Sequence, residues 1–113
     1  MDDPHERLAS ARHRTLARLA ALTRDFDGVV EASKDSNADD EHDPEGATIA
    51  FERSQVEALV HQAQRHLVDL DRAESRLEAG TYGTCETCGR PIGAERLVAR
   101  PTATRCIACA SRA

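Results

Sequence analysis

Apolar residues recur along the first third of the chain at helical spacing. Leu8, Thr15, Leu22 and Val29 lie seven apart, and Leu19 and Phe26 fall between them. This heptad seam, with one polar position at Arg12, predicts a helix over 5–32. Gly28 is its weak point, at about 1 kcal/mol against alanine. The pattern then breaks. Residues 33–46 are rich in Ser, Asn, Asp, Pro and Gly, and 35–45 hold six acids with neither Lys nor Arg. Such residues punctuate helices and form turns. Periodicity resumes at Ile49, Val56, Ala63, Leu70 and Leu77, spaced by seven, and Leu59, Val60, Leu67 and Ala73 widen the stripe. A second helix is predicted over 47–79, capped near Asp43 to Thr48 and closed by Gly80 at the C′ position.

Neither helix can bury its stripe alone, so each needs a partner. A short polar loop between them predicts an antiparallel hairpin within one chain, with pairing between two chains as the competing arrangement. A 31-residue arm would reach about 46 Å at the rise of an α-helix. Composition fits this picture. Charged residues make up 31% of the 113 residues, and the aromatics are two Phe and one Tyr, with no Trp. That is the makeup of solvated helices more than of a large core, and it gives no aromatic platform for stacking bases.

The net charge of −5 argues against a general DNA-wrapping surface. It is also unevenly spread. Residues 31–46 carry −6, 47–79 carry −2, 80–113 carry +3 and 1–30 balance at zero. The N-terminus is polar with no apolar h-region, and no run approaches a membrane span, so a cytoplasmic protein away from membranes is expected.

Reduced cysteines in that compartment read first as metal ligands or redox centres. Cys85-Glu86-Thr87-Cys88 is followed, after seventeen residues, by Cys106-Ile107-Ala108-Cys109. Two CxxC knuckles at this separation match four-cysteine zinc sites. Each knuckle aims two sulfurs at one centre, and two knuckles complete a tetrahedron. Gly89 supplies the turn after the first pair. One structural Zn²⁺ on Cys85, Cys88, Cys106 and Cys109 is the expectation, because a closed Cys₄ shell leaves no position for substrate. A thioredoxin-like pair lacks its βαβ context, and iron–sulfur spacings differ. The expected fold is therefore mainly α: a two-helix coiled-coil hairpin over 1–80 with its tip loop at 33–46, then a zinc-ribbon-like Cys₄ finger over 81–113.

Residues 85–109 resemble the DksA/TraR zinc-finger family. The family pattern C-[DES]-x-C-x3-I-x3-R-x4-P-x4-C-x2-C is met at Cys85, Glu86, Cys88, Ile92, Arg96, Pro101, Cys106 and Cys109. Tyr82-Gly83 and the segment Ala47 to Ser54 are also family-like. The resemblance implies a transcription regulator that binds RNA polymerase directly and no specific DNA sequence. It implies a monomer whose hairpin enters the secondary channel, with an acidic tip near the catalytic centre. Initiation would be modulated, in some members with ppGpp. Family tips read D-x-x-D-x-A. Alignment on the Asp-Pro step puts Asp40 and Asp43 on the two acids, while Glu45 stands where the alanine would be. Arg96 and Arg100 are candidate polymerase contacts, with knuckle packing as their simpler role.

Other readings compete. A zinc-finger adaptor would bind DNA or protein through its arginines, with a steep salt dependence in the DNA case. A redox sensor would release zinc on oxidation. His5, His13, His42, His61 and His66 are scattered and read as surface or seam residues. No nucleophile–base pair or phosphate-cradling glycine loop is present, so no enzyme is expected.

Overall fold

The computed structural model describes residues 3–35 and 44–112. Four helices follow in order: α1 (Pro4–Asp35), α2 (Pro44–Ala79), α3 (Ala94–Ala99) and α4 (Ile107–Ala110). Among the described residues there is no strand, only an isolated antiparallel bridge between Thr84 and Pro91.

Both long helices extend beyond their predicted ends on the loop side. Helix α1 continues to Asp35 rather than 32, and α2 begins at Pro44 rather than 47. Proline suits the first position of a helix, where its missing N–H has no intrahelical partner and its φ is already helical. Pro4 opens α1 in the same way. The Asp3 carboxylate accepts a hydrogen bond from the His5 N–H at 3.0 Å, and the Asp3 carbonyl accepts from Arg7 N–H at 3.0 Å. Asp3 is thus the N-cap. The segment between the helices, 36–43, contains the tip candidates Asp40 and Asp43, which lie outside the described residues.

The other end of α2 closes as expected. Gly80 has φ +78°. Its N–H donates to Leu77 O at 3.2 Å, and Thr81 N–H donates to Arg76 O at 2.9 Å. These two bonds are a Schellman motif, which needs the left-handed residue that glycine supplies.

The chain divides into two compact units, Thr15–His66 and the remainder. In the second of these, the N-terminal turns of α1 pack on the C-terminal turns of α2. Leu8 and Leu70 are fully buried there with Ala11 and Ala73, and Leu67, Leu77 and Tyr82 pack around them. Arg12 was predicted on the seam. The structure buries Ala11 instead, so the seam steps by three and then four from Leu8 to Thr15. Arg12 reaches out to the Asp71 carboxylate, and its Nη2 lies 3.2 Å from Glu74 Oε2. A helix of 3.6 residues per turn permits either step, and the smaller side chain takes the inside.

In the Thr15–His66 unit, Thr15, Leu22 and Ala63 are buried. Thr23 and Phe26 of α1 face Glu57, Val60 and His61 of α2 around a slot of about 390 Å³. Thr15 and Arg18 lie across from Gln62, Ala63 and His66. Ascending positions on α1 thus meet descending positions on α2, which is antiparallel packing. The Arg53 guanidinium sits 5.5 Å from the Phe26 ring centroid. Gly28 lies in α1 with nothing within 4 Å of where a Cβ would stand. Gly28→Ala should therefore raise stability by about 0.5–1 kcal/mol, read as a higher urea midpoint. No helix among the described residues is long and apolar enough to cross a membrane.

Candidate metal centre

After Gly80 the backbone folds into a small loop-rich module organised by glycine turns. Gly83 (φ +85°) turns the chain so that its carbonyl accepts Ile92 N–H at 2.8 Å. Cys85 N–H donates to Arg90 O at 2.8 Å, and Gly89 N–H donates back to Cys85 O at 2.9 Å. Gly89, at φ +76°, makes the left-handed turn of the first knuckle. The second knuckle is built differently. Cys106 caps α4 and Cys109 lies inside it. The Ala110 N–H donates to Cys106 O at 2.8 Å.

The two knuckles are tied by a pair of contacts. Glu86 N–H donates to Thr104 O at 2.9 Å, and the Thr104 hydroxyl donates to Glu86 Oε1 at 3.1 Å. Arg96 is half-buried, and its Nε donates to Arg105 O at 2.8 Å. It therefore braces the backbone leading into Cys106. Arg100 is exposed and caps α3 through its N–H to Arg96 O at 2.7 Å. Both line a cleft of about 880 Å³ together with Arg72, Arg76 and Arg105, with carboxylates among them.

The four cysteine sulfurs all lie within 4.8 Å of one another. Cys88 and Cys106 are 3.8 Å apart. Sulfurs bound to one zinc at 2.3 Å would sit about 3.8 Å apart along a tetrahedral edge. The donor set, spacing and convergence fit one structural Zn²⁺. Cys85 and Cys109 are buried with Ile92 and Leu97, while Cys88 is exposed.

Electrostatics inside the shell point the same way. Backbone N–H groups, first of Cys106 and then of Cys88, lower the Cys85 thiol to about 6. The Cys106 thiol is also lowered, chiefly by the backbone at Cys109. Cys109 is pushed up to about 12, first by its hydrogen bond with Cys106 and then by burial. Backbone N–H groups of both knuckles thus favour thiolate at Cys85 and Cys106, while the neighbouring sulfurs and burial hold the proton on Cys109. A divalent cation at the centre removes that conflict.

Tyr82 carries more of the architecture than the sequence suggested. Its ring packs against both buried clusters, the one around Leu8 and Leu70 and the one around Cys85 and Cys109. Its hydroxyl donates to Pro101 O at 2.7 Å. Arg76 adds a second tie, with Nη2 donating to Thr84 O at 2.8 Å. A single tyrosine in a chain this poor in aromatics, placed just past a helix-ending glycine, was the available signal. Tyr82→Phe should cost about 1 kcal/mol, and Tyr82→Ala more than twice that, in chemical denaturation.

Comparison with known proteins now bears on this arrangement. The prokaryotic dksA/traR C4-type zinc-finger model matches residues 80–113. The solved structure of transcription factor DksA2 from Pseudomonas aeruginosa superposes with a TM-score of 0.57 at 31% identity. That match covers 95% of this chain and 82% of the other.

The chain belongs to the DksA/TraR family.

Curated DksA/TraR relatives agree. The RNA polymerase-binding transcription factor DksA of Caulobacter vibrioides is 45% identical over 58 residues, covering 50% of this chain and 41% of its own length. DksA of Escherichia coli K12, with the same printed description, is 35% identical over 68 residues, covering 59% and 45%. The uncharacterized protein YteA of Bacillus subtilis is 43% identical over 68 residues, covering 60% and 28%. The matches therefore span less than half the length of these curated relatives.

Proposed function

We propose that this chain is a transcription regulator that binds RNA polymerase directly and modulates initiation from the secondary channel. The observation that carries the reading is the likeness to DksA2 over 95% of the chain, with the Cys₄ module included. Residues 81–113 form the zinc finger, with Cys85, Cys88, Cys106 and Cys109 holding the metal. Zinc supplies folding energy there and no reaction chemistry. The helices of 1–80 form the inserting arm, with the tip at 33–46.

Charge supports the division of labour. The −6 segment at 31–46 suits approach to a bound Mg²⁺ or basic channel residues, and the +3 finger suits an acidic rim. Asp40 and Asp43 are the tip acids. Arg96 braces the second knuckle, and Arg100 on the surface is the better placed of the two for contact with polymerase. The protein acts in the cytoplasm as a monomer, and ppGpp is a candidate co-ligand of the complex.

Core polymerase should capture the zinc-loaded protein, and a second factor known to fill the secondary channel should displace it. Binding that ignores such a competitor, or binding to duplex DNA with a steep salt slope and none to polymerase, would contradict the reading.

A further inference from the structure

Arg7, Ser10 and Arg14 lie at i, i+3 and i+7 on α1, one face of the helix. They line a cavity of about 280 Å³ whose other side is formed by Val98 of α3 and by Pro101. The cavity is separate from the sulfur shell and from the cleft lined by Arg96 and Arg100.

Its electrostatics are unbalanced. Arg7 Nε is buried and has no hydrogen-bond partner. Among the described residues neither Arg7 nor Arg14 is in an ion pair, whereas Arg12 on the same helix holds Asp71 and Glu74, and Arg53 holds Glu57. Glu6 also lines the cavity and is the only acid there, against two guanidiniums. The nearby Tyr82 hydroxyl cannot serve as a counter-ion. Burial raises its pKa above the usual value of 10, so it stays neutral, and it donates its proton to Pro101 O. A buried N–H without an acceptor is costly, and the cost disappears when an acceptor reaches it.

We propose that Arg7, Ser10 and Arg14 form an oxyanion site that takes one phosphate or carboxylate group. The guanidinium fork matches both groups, which accept two parallel N–H bonds, and the Ser10 hydroxyl offers a third donor. Val98, which is 55% exposed, gives the ligand an apolar surface beside the charged end. The site does not depend on the polymerase reading. A phosphorylated small molecule and a carboxylate side chain of another protein are the two sources of such a group.

The test uses the full zinc-loaded chain and the Arg Nε–H signals in ¹H–¹⁵N NMR. Sodium phosphate and sodium acetate are titrated separately, with sodium chloride at matched ionic strength as reference. The Arg7 Nε–H signal should move along a saturating curve with phosphate or acetate and not with chloride. Tighter phosphate points to a phosphorylated ligand, and tighter acetate to a protein carboxylate. Arg14→Gln should weaken the apparent affinity by at least about fivefold, because it removes one charged fork. Arg7→Lys keeps the charge but not the fork. Followed through the Arg14 Nε–H signal, it should also weaken binding. Arg24→Gln, on the other compact unit, should change nothing. A non-saturating drift equal to that of chloride, or an unchanged curve in Arg14→Gln, overturns the site.

Discussion

Stripping zinc with a strong chelator should collapse the native amide pattern of residues 81–112 while residues 15–66 keep their helical protection. Cys85, Cys106 and Cys109, with Ile92, Leu97 and the edges of Tyr82 and Ala103, make up the core of this module. That is too little apolar material to hold the three turns at Gly83, Gly89 and Gly93. Structural zinc contributes on the order of 10–16 kcal/mol in isolated finger peptides, which is more than any packing term available here. Cys85→Ser and Cys109→Ser should behave like the metal-free chain, because both side chains are buried. Cys88→Ser should be milder, because it is exposed. Zinc content should be one per chain, and native-state hydrogen exchange reads the local loss.

The thiolate shell makes zinc affinity depend on pH. Metal binding requires thiolates, and Cys109 without metal is held up to about 12. At neutral pH its proton must leave when zinc enters, so the apparent affinity should rise with pH. Acidification should release the metal as protons return to the sulfurs. A competition titration against a colorimetric chelator at several pH values measures this slope. A flat profile would contradict the assignment of thiolates as the ligands.

The second large effect concerns the loop. Asp40→Asn combined with Asp43→Asn should leave zinc content, helicity and polymerase binding nearly unchanged. It should abolish most of the effect on transcription in vitro at a ribosomal promoter, with and without ppGpp. Acids in a polar loop contribute little to folding, yet near a catalytic Mg²⁺ in a narrow channel the same charges act at short range with weak screening. A double variant that regulates like the parent removes the tip acids from the mechanism.

Much of this was legible in the sequence because the signals are periodic or chemically restricted. Leu8 and Leu70 fall on heptad seams and are fully buried. Two CxxC pairs admit few chemistries, and the sulfurs do converge. Gly80 stops α2 where a C′ glycine should. The misses have physical causes. Alanine is equally at home inside and outside a helix, so Ala11 was hidden behind its neighbour Arg12. Pro44 reads as a breaker, although the first position of a helix welcomes it. The shared packing of Tyr82 depends on two clusters meeting at one ring, which no local pattern encodes. The unpartnered Nε of Arg7 likewise follows from what fails to sit beside it in three dimensions.

In the proposed mode of binding, the segment between α1 and α2 reaches the catalytic centre of RNA polymerase. A photo-crosslinking amino acid placed at position 37 or 38, beside the proposed tip acids, tests it most directly. In the complex with core polymerase, crosslinks are expected to segments that surround the catalytic Mg²⁺, and they should be lost when a channel-filling competitor is added. Stable binding with crosslinks only to the polymerase exterior, or crosslinks that survive the competitor, would contradict it.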